Sequence, residues 1–175
     1  KTFDNMEKTK QLELPEPPKD ISATNIIKRM VDGLDFRLYW SLYDLNDNFL
    51  EFRAAKGSMN VKELLVHVHG LCKRICSTFG GEYKGRPEPE SIEKYREECH
   101  QLLASASASL EKMEDSTLQE KATYNKRTNS YLPFWYIING PIADALTHTG
   151  QINSWRRIAG YSPVKVDVFF GKMLD

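Results

Sequence analysis

The sequence predicts an all-α protein, a four-helix bundle, and three observations carry that expectation. Apolar side chains recur at helical spacing through four long segments, each with a polar opposite face. Clusters of Gly, Pro, Asn and Asp separate those segments. The chain has 175 residues, 41% of them hydrophobic, enough for one domain with a substantial core and short for two. A single domain over 1–175 is therefore expected, with an extended arm at 1–20, the bundle at 21–160 and a short extended tail at 161–175.

The arm carries Pro15, Pro17 and Pro18, which disfavour helix. From about Asp20, Ile27, Met30, Val31, Leu34, Leu38 and Leu42 form one stripe, giving a first helix of about six turns capped by Asp20 or Ser22. Residues 44–48 end it. Asn60 followed by Glu63 reads as a capping box. The helix it opens buries Val61, Leu64, Leu65, Val68, Leu71, Cys72 and Ile75 and closes at Gly80-Gly81. His67 lies nearer that stripe than His69, which is expected to face solvent.

Residues 80–90 form a Gly/Pro-rich connector long enough to cross the length of a bundle. A third helix over about 89–113 follows on Ile92, Tyr95, Cys99, Leu102, Leu103, Ala106, Leu110 and Met113, and its Ala/Ser run at 104–109 suits close helix approach. Residues 114–133 show no clear period and read as a lid or pocket-covering loop, with Tyr124 and Tyr131 as its aromatic members. The fourth helix follows Pro133, with a kink near Gly140-Pro141 and a cap at Gly160. Arg156 and Arg157 complement its C-terminal dipole. Residues 164–170 alternate as a strand-like tail, packing across the bundle or at a dimer contact.

Lysine plus arginine equal aspartate plus glutamate at 24 each, so no net basic field attracts a nucleic acid. Three cysteines make no disulfide framework, and no apolar run approaches membrane length. The expected partner is a small molecule, in the cytoplasm, with neither nucleic acid nor membrane. The chain opens at Lys1 rather than methionine, and a removed signal peptide would leave no trace in it.

The chemistry concentrates at 139–160, where Asp144, His148, Gln151 and Trp155 fall on one helical stripe among apolar neighbours. Asp144 and His148, one turn apart, either reach a single metal ion or hydrogen-bond each other. His67 is the best third partner. Two imidazoles and a carboxylate suit a divalent ion, zinc or nickel ahead of iron or manganese, and leave positions open for water or substrate. Such an ion lowers the pKa of water or of a thiol and polarises a carbonyl. Gln151 orients a ligand or hydrogen-bonds behind His148, and Trp155 is a candidate substrate contact. No residue beyond the ligands is singled out as catalytic. Cys72, Cys76 and Cys99 read as small core residues, His69 and His100 as solvent-facing or locally hydrogen-bonded, Trp40 and Trp135 as core or pocket wall, and Arg156 as a helix-end cation at the solvent ahead of a contact for an anionic ligand.

Two motifs then resemble the DinB/YfiT-like superfamily. In 45–68 a histidine, His67, follows the Leu64-Leu65 pair, and His148-Thr149-Gly150-Gln151 resembles the His-x-Gly-Gln motif of the fourth helix. The resemblance spans about 22–160. It implies an up-down-down-up four-helix bundle with the 80–90 connector as crossover, and a divalent metal held by His67 and His148 with Asp144 at a position commonly histidine. It further implies thiol transfer, isomerisation or metal-dependent hydrolysis of a small molecule, a low-molecular-weight thiol as cosubstrate, and a homodimer. The alternative is a non-catalytic bundle that binds a small ligand or a structural metal, or a metal-free bundle whose polar stripe fixes packing.

Overall fold

A computed structural model describes residues 12–82 and 88–174. Helix α1, Ala23–Ser41, starts where the Ser22 side chain accepts from the Asn25 amide. Its first turn is capped a second time from a distance: the Asp115 carboxylate accepts from the amides of Ala23 and Thr24, at 3.0 and 2.9 Å. The end of α1 leads through Asp44, at φ 56°, into a 3₁₀ turn at Asp47–Glu51. Helix α2, Val61–Thr78, opens on the expected capping box, in which Asn60 and Glu63 each accept from the other's amide at 2.8 and 2.7 Å. Helix α3, Ile92–Glu111, is capped by Ser91.

Residues 114–133 are not a structureless loop. They form a short helix α4, Asp115–Leu118, and a hairpin of β1, Ala122–Asn125, and β2, Ser130–Pro133, paired antiparallel with Tyr124 opposite Tyr131. The fourth helical segment is kinked where expected. A single turn α5, Trp135–Ile137, runs into a π turn at Ile138–Ile142 that contains Pro141, and then into α6, Ala143–Ile158. Proline lacks the amide that a continuous α-helix requires there. Gly160, at φ 89°, closes α6, with the Tyr161 and Gly160 amides donating to the Arg156 and Arg157 carbonyls. A second small hairpin, β3, Val166–Asp167, with β4, Lys172–Met173, ends the chain. The protein is thus mostly helical with two small hairpins, not purely α.

Helix α1 packs against α3 and α6, and α2 packs against the same two, so one apolar cluster joins all four helices. Where α1 meets α3, Ala106 and Ser107 are buried as the Ala/Ser run suggested, and the Ser107 hydroxyl donates to Asp32. Of the expected arm, 1–11 lies outside the described residues. Leu12 and Pro15 lie along α1, their carbonyls accepting from Trp40 Nε1 and from Arg29. The expected crossover at 80–90 falls partly, over 83–87, outside the described residues.

Four side chains depart from expectation. His69 is 2% exposed and pairs with Glu98 of α3 at 3.0 Å, whereas His67 is the exposed histidine. Because α2 packs on two helices, its buried face is wider than the Leu/Val stripe and takes in His69. His100 bonds across to Asp35 of α1 at 2.8 Å instead of locally. Arg156 is 4% exposed and donates to the Trp40 and Ser41 carbonyls at the end of α1, so it satisfies another helix's terminus and not its own. Trp135 is 72% exposed and joins neither core nor pocket wall.

Candidate metal centre

Helix α2 presents His67 from its second turn, and α6 presents Asp144 and His148 one turn apart just beyond the π turn. The restart after Pro141 places Asp144 in the first turn of α6. His67 Nε2 lies 3.0 Å from one Asp144 oxygen, and His148 Nε2 lies 3.3 Å from the other. The two imidazoles meet edge to face with ring centres 4.9 Å apart. One ligand atom from each of the three residues lies within 4.8 Å of the others. These distances let the side chains bond one another directly or close around one ion.

The donor chemistry fits a divalent cation. His148 Nδ1 lies 2.8 Å from Gln151 Oε1, and an amide oxygen can only accept, so this hydrogen bond forms with the proton on Nδ1. The Nε2 lone pair is then left facing the cluster, the tautomer a metal ligand needs. Asp144 supplies the anionic charge. His67 and Asp144 are 44% and 41% exposed, so the set opens to solvent instead of closing into a dry shell.

A cleft of about 980 Å³ opens beside the set, lined by His67 and Asp144, by the polar face of α2, by Gly140 and Pro141 of the kink, and by Tyr124 and Tyr131 of the hairpin. Gln151 stands behind His148. Trp155, offered as a substrate contact, is 6% exposed and lies edge-on to Phe52 in the core, away from the residues lining the cleft. The three cysteines are buried and free. Hydrogen bonding to Cys99 and burial push the Cys72 thiol well above its ordinary value, and burial pushes Cys76 up, so neither supplies a ready thiolate.

Sequence reasoning missed the buried His69–Glu98 pair between α2 and α3. Burial pulls the His69 imidazolium down, aided by Lys73, against the upward pull of Glu98. The two side chains come from different helices, and no spacing rule within α2 or α3 announces them.

No family model and no curated protein matches the chain. Solved structures do. A DinB-like protein from Bacillus cereus ATCC 10987 superposes at TM-score 0.60 and 17% identity, covering 81% of this chain and 97% of its own. YfiT from Bacillus subtilis, a probable metal-dependent hydrolase with an unusual four-helix bundle topology, superposes at TM-score 0.61 and 12% identity, covering 85% of this chain and 95% of its own. The chain has a DinB/YfiT-like fold. Within this DinB/YfiT-like fold, the possible metal site is the His67, Asp144 and His148 cluster.

Proposed function

We propose that the protein is a single-domain metal-dependent enzyme that acts on a small molecule by hydrolysis or thiol transfer, with His67, Asp144 and His148 as ligands of one divalent ion. The observation that carries this reading is the convergence of two imidazoles and a carboxylate from two helices, within 4.8 Å, at the edge of an open cleft. The metal-dependent character given to YfiT supports it. So does the exposure of the set, which favours catalysis over a closed structural site. When bound, a zinc or nickel ion would supply Lewis acidity and lower the pKa of a water or thiol.

The chain's own residues prepare that chemistry. Gln151 hydrogen-bonds His148 Nδ1 and orients the ring, and Asp144 sets one carboxylate oxygen toward each imidazole. Tyr124 and Tyr131 line the cleft and offer aromatic surface to a substrate. Part of the same proposal are the up-down-down-up helix order, a low-molecular-weight thiol as cosubstrate, a substrate contact from Gln151, a cytoplasmic setting and a homodimer. Among the described residues no helix is long and apolar enough to cross a membrane.

The test is metal content, with turnover read alongside. Freshly purified protein should carry about one zinc or nickel per chain and His148→Ala almost none, and ester hydrolysis or thiol transfer should vanish with chelator and return with metal. Equal, substoichiometric metal in both proteins would sink the assignment.

A further inference from the structure

Beyond the ligand set the cleft is basic. His67, Gly70, Arg74 and Ser77 succeed one another along α2 at spacings of three and four residues, so they share one helical face, and all four line the cleft. At about 1.5 Å per residue, Arg74 stands roughly 10 Å along the axis from His67. Lys126, in the β1–β2 turn, lines the same space from the hairpin side, and Lys73 lies next to Arg74. Among the described residues Asp144 is the sole carboxylate on that lining, and a divalent ion held by the ligand set would neutralise it. Among the described residues neither Arg74 nor Lys126 makes an ion pair. Two cations thus line one cleft without an ion-pair partner among the described residues.

Gly70 stands between the two ends. A glycine in a helix interior weakens the helix relative to alanine, and a Cβ here would meet no atom within 4 Å, so packing does not require the glycine. Its effect is to leave the strip of helix between His67 and Arg74 bare, where a ligand can lie against the backbone.

We infer that the cleft takes a small molecule bearing a carboxylate or phosphate roughly 10 Å, two helical turns, from the group it presents to His67, Asp144 and His148. Arg74 and Lys126 hold the anion, and Gly70 is the floor between. This rests on the proposed reading for the reacting end only, because the anion wall is formed by other side chains. An arginine at such a site offers paired donors matched to either oxyanion, and the lysine adds a point charge.

The test uses chelator-treated full-length protein, so that no ion competes for the anion, and three probes titrated by ligand-observed NMR: 4-nitrobenzoate, 4-nitrophenyl phosphate and the uncharged 4-nitrobenzamide. Wild type should bind at least one anionic probe about tenfold more tightly than the amide, as charge-assisted hydrogen bonding requires. Whichever anion is preferred identifies carboxylate or phosphate as the natural group. The double variant Arg74→Gln/Lys126→Gln should lose the preference, Lys112→Gln/Lys172→Gln, with the same charge change elsewhere, should keep it, and Gly70→Leu should weaken all three probes. An equal affinity of wild type for anions and amide, or a preference that survives Arg74→Gln/Lys126→Gln, overturns the inference. His148→Ala, whatever its overall affinity, should keep the anion-over-amide preference, because Arg74 and Lys126 are untouched. Absent metal with an intact anion preference therefore sinks the metal reading and leaves the anion site standing.

Discussion

At the scale of single residues, Gln151 decides which nitrogen of His148 faces the cluster. Its carbonyl oxygen, 2.8 Å from Nδ1, holds the proton there and leaves Nε2 as the donor atom. Gln151→Leu removes that constraint and keeps the helix. Metal affinity should fall about 10- to 100-fold, measured by competition with a chromogenic chelator, while an unchanged affinity would show that helix packing alone orients the ring. A second residue-scale device lies away from the site, where His100 meets Asp35 beside Asp32 and Lys28. Burial pushes the Asp35 carboxyl up against the downward pull of His100, and the Asp35 hydrogen bond pushes His100 up against burial. A raised histidine stabilises the fold fully below its unfolded value, near pH 6.5, and that contribution is lost as pH rises through the folded value. Melting temperature measured between about pH 6 and about pH 9 should therefore fall more in wild type than in His100→Asn, because groups remote from the His100–Asp35 pair cancel in the comparison. Parallel profiles would show that the pair adds no pH-dependent stability.

Secondary elements were legible where sequence punctuation and apolar period agreed. The Asn60–Glu63 box is the clearest instance, since both of its reciprocal bonds form. Asn60→Ala should cost about 1 kcal/mol and lower the melting temperature by about 2–4 °C, seen by calorimetry. Metal stoichiometry should not change, because His67 sits in the second turn of α2, beyond the fraying first turn. A lost metal in that variant would mean that the cap positions His67. The β1–β2 hairpin was not legible: its strands are four residues each, too short to show alternation, and its turn depends on Asn129 at φ 50° and not on a glycine pair. His69 and Arg156 were misread for a related reason. Each is polar on its own helix, and each is buried by a partner on another, Glu98 on α3 and the carbonyls ending α1.

For the whole molecule, the three candidate ligands were singled out in the sequence, Asp144 and His148 by their one-turn spacing and His67 at the margin of an apolar face, but the cleft beside them was not. It needs the hairpin, the π turn and α2 together, and no one segment encodes that space. The same assembly gives the site a mechanical consequence. His67 and Asp144 are 77 residues apart in sequence and 3.0 Å apart in space, so an ion bound to both ties α2 to α6 in the folded state and has no equivalent site in the unfolded chain. At a free metal concentration of about 100 times its Kd, the ion should add about 2.7 kcal/mol of stability. For a chain of this length that raises the melting temperature by roughly 5–10 °C. Thermal unfolding of wild type with zinc or nickel, set against the same protein in chelator, measures the shift. His148→Ala should lose most of it, because two ligands from one carboxylate and one imidazole leave the ion weakly held. A shift of equal size in His148→Ala would place the ion elsewhere on the chain, and the α2–α6 clip would then not exist.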